Sequence, residues 1–193
     1  METKKYFIKS LQHTDNIIMQ IKDSDWHNVT PCTEWNLHDL VNHMVVEVAW
    51  IPDLIDSKTI SEVGNKYDGD LLGKDPLLAW SRYVKKARTT VDNVDLSTLV
   101  HLSYKDTTAG DYIGEVASDL LIHSWDVAKS INTYDKLPSD MLVQFYNGIK
   151  PHISELQKMG IYHKSIKVDS SASIQTKLLA LLGRDHNWSK VDK

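Results

Sequence analysis

Hydrophobic residues recur every three or four positions along much of the chain, which is the spacing of amphipathic helices. The stripe of the first stretch, 5–21, consists of Phe7, Ile8, Leu11, Ile17, Ile18 and Ile21. The stripe of the second stretch consists of Leu37, Leu40, Val41, Met44, Val45 and Val48. We expect Thr33 or Asn36 to cap this second helix and Pro52 to end or kink it.

A polar connection, 58–75, separates the second helix from the third and is rich in Gly and Asp. Its length is sufficient to cross from one end of a helix bundle to the other. Asp75 followed by Pro76 is a typical helix start, and the helical spacing continues to about residue 94. The polar stretch that follows predicts a loop with one brief strand at 99–104.

The C-terminal half contains one long predicted helix and two shorter ones. The long helix covers 111–132, and a shorter one follows over 139–149. A last helix begins after a Ser171 or Ser173 cap, with Gly183 as the residue past its end. Four long helices and two shorter ones predict an all-α fold.

Composition narrows the class of protein without naming a function. The 193 residues carry 22 Lys and Arg against 26 Asp and Glu, so the formal net charge is −4. This balance argues against nucleic-acid binding, which needs clustered basic side chains. No repeat or linker divides the chain, so we expect a single domain over 1–193. No apolar run approaches the roughly 20 residues of a membrane helix, and we expect no membrane contact and a cytoplasmic protein.

Three side chains form a candidate metal site. Asp119 and His123 are four residues apart, so on a helix they lie one turn apart on the same face. Such a pair is also common as a surface contact, and the sequence alone leaves both interpretations open. His43 interrupts the apolar second helix, and a buried histidine needs a partner. Two histidines and one carboxylate suit zinc, nickel, iron or manganese and leave coordination positions open.

Other polar residues near this set have several interpretations. Glu115 can be a ligand, a base or a solvated side chain, and Glu47 or Asp39 can orient His43. Cys32, the only cysteine, can form a nucleophilic pair with His43, but nothing in the sequence lowers its pKa beyond a nearby helix N-terminus. We therefore expect Cys32 not to be catalytic.

The tryptophans and the C-terminal charges are expected to be structural. Trp80 lies on an apolar helical row, which indicates a core position. Trp35 and Trp125 are close in sequence to the candidate ligands; we favour core positions over the walls of a pocket. Arg184 and Asp185 either fasten the C-terminal segment as a pair or reach the site, and we favour the pair.

Four blocks of the chain, in order, resemble one known family. They are TPCTEWNLHDLVNHMV, YDGDLLGKDPLLAW, EVASDLLIHSWDVAKS and KLLALLGRDHNW. The first block resembles the opening motif of the mycothiol-dependent maleylpyruvate isomerase metal-binding domain family, a branch of the DinB-like superfamily. Together the blocks are similar to an actinobacterial-type group of small proteins in that branch.

The resemblance implies a DinB-like four-helix bundle with one long crossover and extra short helices. It also implies a divalent metal, zinc or nickel first, bound by His43, Asp119 and His123, with Asp119 where the isomerase typically has Glu. Relatives use the metal to activate a low-molecular-weight thiol such as mycothiol or bacillithiol. The implied function is thiol S-transfer to, or isomerisation of, a small electrophilic substrate, and a homodimer is expected. The alternatives are a metal-dependent hydrolase and a non-catalytic ligand-binding or interaction module.

Overall fold

Eight α-helices, a 3₁₀ turn at Asp23–Asp25 and one short hairpin make up the computed structural model, which describes residues 1–190. The helices are α1 (Thr3–Ile18), α2 (Leu37–Ile55), α3 (Ile60–Val63), α4 (Pro76–Asn93), α5 (Ala109–Ser130), α6 (Ser139–Ile149), α7 (Ile153–Lys158) and α8 (Ile174–Leu181). Strands β1 (Leu99–His101) and β2 (Asp106–Thr108) pair antiparallel between α4 and α5. The all-α prediction is confirmed. Within residues 1–190, no helix is both long enough and apolar enough to cross a bilayer.

Helix α5 lies at the centre of the bundle. It packs against α1 on one side and α2 on the other, and α4 packs against α2. Every residue from 120 to 128 is buried, so this part of α5 is covered on all sides. The polar members of that stretch, His123, Ser124 and Asp126, must therefore find partners inside the protein, because an unpaired buried polar group is costly.

The ends of the helices follow the expected capping chemistry, with some changes of boundary. Asn36, not Thr33, caps α2 by accepting a hydrogen bond from the Asp39 amide. Pro52 does not end α2, which continues to Ile55 because the missing Pro52 donor costs only one intrahelical bond. At α8, Ser173 is the cap.

Elements between the long helices differ more from the sequence prediction. The expected strand at 99–104 is shorter and pairs with β2, which the sequence did not predict. The connection 58–75 contains the short helix α3, and α7 was also missed. Asn42 ties this connection to α2 by donating to the Gly69 carbonyl and accepting from the Leu71 amide.

Asp53 ties the same connection to the C-terminal end of α2. Its carboxylate is buried and accepts hydrogen bonds from Lys58 at 2.7 Å, Tyr67 at 2.6 Å and Lys66. Burial alone would raise the pKa of Asp53, but the three donors outweigh it and hold the pKa well below its usual range. The ionised carboxylate thus stabilises the folded crossover.

We expect Asp53→Asn to lower the free energy of unfolding by about 1–2 kcal/mol at pH 7. The cost stays small because Lys58 and Lys66 are 46% and 48% exposed and can be solvated when the carboxylate is lost. The contribution of Asp53 is present above its unfolded pKa, so the difference should shrink below about pH 4. Urea unfolding at several pH values measures both effects. Asp56→Asn, at the exposed α2 C-cap, is the control, and a loss of equal size there would contradict the assignment.

Candidate metal centre

Packing of α2 against α5 brings together the three side chains predicted as metal ligands. His43 Nε2 lies 3.3 Å from Asp119 Oδ2, and His123 Nε2 lies 3.4 Å from Asp119 Oδ1. The carboxylate of Asp119 therefore sits between the two imidazoles. The side chains of His43 and Asp119 are about a quarter exposed and that of His123 is 9% exposed, so the cluster is reachable from one side.

The geometry of the cluster fits a divalent cation. Its ligand atoms all lie within 4.8 Å of one another. Asp119 Oδ2 is buried and has no hydrogen-bond partner among residues 1–190, although His43 Nε2 is close. Such an orphaned carboxylate oxygen needs a cation or a proton donor. Two imidazole nitrogens and a carboxylate oxygen are a donor set that zinc and other first-row metals accept.

Charges in the cluster favour an ionised carboxylate. Burial by itself raises the pKa of Asp119, but the adjacent His123 and His43 outweigh burial and hold that pKa well below its usual range. Burial lowers the pKa of His123, yet Asp119 and Asp126 outweigh burial and hold that pKa well above its usual range. The site therefore stabilises positive charge next to Asp119.

Trp35 forms one wall of the cluster. Its ring stacks on His43 with centroids 4.8 Å apart, and it lies 6.1 Å from the His123 ring. Trp35 is partly buried and packs against the hydrophobic core, so it contacts the core and also forms the pocket wall that the sequence left as the alternative. Trp125 and Trp80 are buried in the core, as predicted.

The loop before α2 is fastened to the end of α5. Ser130 Oγ donates to the Val29 carbonyl, and the Asn28 side chain donates to the Ser130 carbonyl. Within the loop, the buried Thr30 hydroxyl accepts from the Cys32 amide and lies 2.9 Å from the carbonyl oxygens of Cys32 and Trp35. These bonds fix the position of Cys32 beside α5.

Cys32 belongs to a second group of candidate ligands, with His123 and Asp126. Arg184 already supplies a cation to this group, since Nη2 lies 2.8 Å from Asp126 Oδ2 and 3.6 Å from Cys32 Sγ. A metal there would have to share the space with the guanidinium. The group of His43, Asp119 and His123 is therefore the better candidate metal centre.

The thiol of Cys32 is a hydrogen-bond donor in this arrangement. Sγ lies 3.3 Å from Asp126 Oδ2 and 3.8 Å from His123 Nδ1, so the hypothetical pair with His43 does not form. Burial and then the charge of Asp126 raise the pKa of Cys32, which disfavours the thiolate. This agrees with the expectation that Cys32 is not a nucleophile.

Glu115 and Asp39 lie outside the cluster. Glu115 is exposed and accepts hydrogen bonds from the Tyr104 hydroxyl at 2.6 Å and Lys105 Nζ at 2.7 Å, both in the turn of the hairpin. Asp39 is exposed and pairs with the Asn36 amide in the cap of α2, so it does not orient His43. Neither carboxylate contacts the candidate ligands.

Glu47 is the acidic residue that remains available near the cluster. Burial raises its pKa to about 7, and the charges of Asp119 and Glu115 act in the same direction. The structure shows no hydrogen bond or ion pair from its side chain to any residue in 1–190. The raised pKa makes Glu47 the candidate proton-transfer group beside the cluster.

Asp126 and Arg184 are the important residues that the sequence analysis missed or misassigned. Arg184 does not pair with Asp185; it binds the fully buried Asp126, whose Oδ2 is 2.9 Å from His123 Nδ1. A signal for Asp126 was present, because a carboxylate three residues after His123 in an apolar helix must be paired. No local pattern could have identified Arg184 as its partner.

The chain matches a known protein family. The family model described as mycothiol maleylpyruvate isomerase N-terminal domain matches residues 9–128, which is 120 of the 193 residues. The matched region contains all three candidate ligands and Asp126, and it ends before Arg184. No curated protein and no solved structure matches the chain.

We expect Thr30→Val to lower the free energy of unfolding by about 1–3 kcal/mol, because it leaves partly buried backbone groups of the loop without their partner. Thr33→Val is the control, since Thr33 is exposed in the same loop. Chemical denaturation monitored by tryptophan fluorescence measures both variants. Equal stability of the two variants would show that the Thr30 hydroxyl does not organise the loop.

Proposed function

The chain belongs to the mycothiol maleylpyruvate isomerase N-terminal domain family, and on this premise we propose that it binds one divalent metal through His43, Asp119 and His123. The observation that carries this proposal is the Asp119 carboxylate between the two imidazoles: its Oδ1 faces His123, and its buried Oδ2, near His43, has no hydrogen-bond partner among residues 1–190. Zinc and nickel are the first candidates, because both accept imidazole and carboxylate ligands.

We further propose that the protein transfers a low-molecular-weight thiol to a small electrophile, or isomerises such a substrate. A divalent metal with open coordination positions lowers the pKa of a bound thiol and so supplies a nucleophile at neutral pH. The chain's own residues hold and shield this position. Asp126 accepts the His123 Nδ1 proton, which leaves Nε2 facing Asp119, and Trp35 packs on the His43 ring.

Metal-dependent hydrolysis is a second candidate, favoured by Glu47. A general base needs a pKa near the working pH and freedom to reach a water molecule. Burial raises the pKa of Glu47 to about 7, and no hydrogen bond or ion pair within residues 1–190 holds its side chain, which makes it the candidate base. Glu115 is the weaker base candidate because Tyr104 and Lys105 hold it.

The first test is metal content. We expect the parent to bind about one equivalent of zinc or nickel after loading and gel filtration, as three protein ligands to one metal imply. His43→Ala and His123→Ala should each lose the metal while circular dichroism shows that they remain folded. His27→Ala is the matched control because His27 is exposed and outside both candidate groups. A parent that takes up neither metal would contradict the proposal.

The second test separates the two reactions. For the transferase, conjugation of mycothiol or bacillithiol to the fluorogenic electrophile monochlorobimane should require metal and survive Glu47→Gln within a few-fold. For the hydrolase, ester or amide turnover should proceed without thiol and fall by about 10²–10⁴-fold in Glu47→Gln, the usual loss of a general base. Glu115→Gln is the control carboxylate and should retain activity in both assays. Absence of both activities in the metal-loaded parent would leave a non-catalytic binding protein.

A further inference from the structure

Arg184 connects the C-terminal segment to the candidate metal centre. It lies just after α8, beyond the part of the chain that the family model matches. Its guanidinium contacts both carboxylate oxygens of Asp126, with Nε 2.9 Å from Oδ1 and Nη2 2.8 Å from Oδ2. The Asp126 side chain is 0% exposed and that of Arg184 is 10% exposed, so the two residues form a buried, bidentate ion pair.

Asp126 also contacts a candidate metal ligand, His123, and so connects Arg184 to the cluster. Its Oδ2 accepts the Nδ1 proton of His123 at 2.9 Å, and the opposite ring nitrogen, Nε2, faces Asp119. A carboxylate on the far nitrogen of a metal-binding histidine fixes its tautomer and ring orientation. Cys32 adds a third contact to the same oxygen at 3.3 Å, from the loop before α2.

The backbone after α8 places Arg184 at this carboxylate. The Gly183 amide donates to the Ala180 carbonyl and the Arg184 amide donates to the Leu179 carbonyl, which is the Schellman pattern of a helix end. Gly183 has φ +79°, and a Cβ there would lie 2.6 Å from the Cβ of His163. Glycine is therefore needed both for the turn and for the close approach of the neighbouring segment.

We propose that Arg184 is a positioning residue for the metal centre: acting through Asp126, it holds His123 in the metal-binding orientation, so that docking of the C-terminal segment and metal binding are coupled. The inference rests on the proposed function. Without Arg184 the buried carboxylate loses its cation, and Asp126 no longer has a fixed position from which to orient His123. Coupling is reciprocal, so bound metal should also stabilise the docked segment.

The test measures zinc affinity of the full chain by competition with a chromophoric chelator. We expect Arg184→Gln to weaken zinc binding by about 10–100-fold, the usual effect of losing the partner that orients a ligand. Arg184→Lys should fall between the parent and Arg184→Gln, because it keeps the charge but cannot contact both oxygens. Arg82→Gln, at an exposed arginine of α4, should bind zinc as the parent does.

A second measurement begins with the parent protein, whose folding is not in question. Hydrogen exchange of the α8 amides in the parent should slow when zinc is added, and this protection should be lost in Arg184→Gln. If Arg184→Gln does not fold, Arg184→Lys and zinc-dependent protection in the parent decide the question.

The possible results separate this inference from the proposed function. A parent that binds zinc, together with a folded Arg184→Gln of equal affinity, would overturn the inference alone and leave Arg184 a structural residue that affects only the melting temperature. Zinc binding without added protection of α8 would overturn the coupling. A parent that binds no zinc would overturn both proposals.

Discussion

The structure depends on the pairing of the charged side chains that α5 buries at the centre of the bundle. Residues 120–128 are buried on every side, and this stretch includes His123 and Asp126. Buried charges are tolerated only when they are paired and hydrogen-bonded, so the surrounding elements must supply partners. Asp126 forms an ion pair with Arg184, and the His123 ring lies between the carboxylates of Asp126 and Asp119. Arg184, Asp126, His123 and Asp119 thus form a row of alternating charges along α5.

Three separate parts of the chain meet at this row. Helix α2 contributes His43 and Glu47, the loop before it contributes Trp35 and Cys32, and the segment after α8 contributes Arg184. Each of these parts is fixed by its own local bonds: the Asn36 cap, the Thr30 hydroxyl and the turn at Gly183. The site is therefore rigid on the side of His123 and Asp126. On the side of His43 and Asp119 it stays partly open to solvent.

This asymmetry is what a reactive metal centre requires. Ligands whose far side is hydrogen-bonded to the protein keep their orientation. Open coordination positions on the solvent side admit a substrate or a small thiol. The family to which the chain belongs is consistent with thiol chemistry at such a site. Glu47, whose pKa is raised to about 7, is the carboxyl near the candidate ligands, and its role distinguishes the transferase proposal from the hydrolase alternative.

Much of the fold, and the Asp119 and His123 pair of the candidate site, could be predicted from the sequence because both depend on the spacing of residues close in the chain. The period of the apolar residues predicted all four long helices, and the four-residue spacing of Asp119 and His123 placed both on one face of α5. Only the tertiary structure decided which charges meet across distant segments. Arg184 and Asp126 are 58 residues apart and belong to no shared motif, Glu115 is bound by a hairpin turn, and Trp35 packs against both the core and the His43 ring. Periodicity is a property of neighbouring residues, whereas these contacts depend on how separate elements pack, and that packing has no local signature in the sequence.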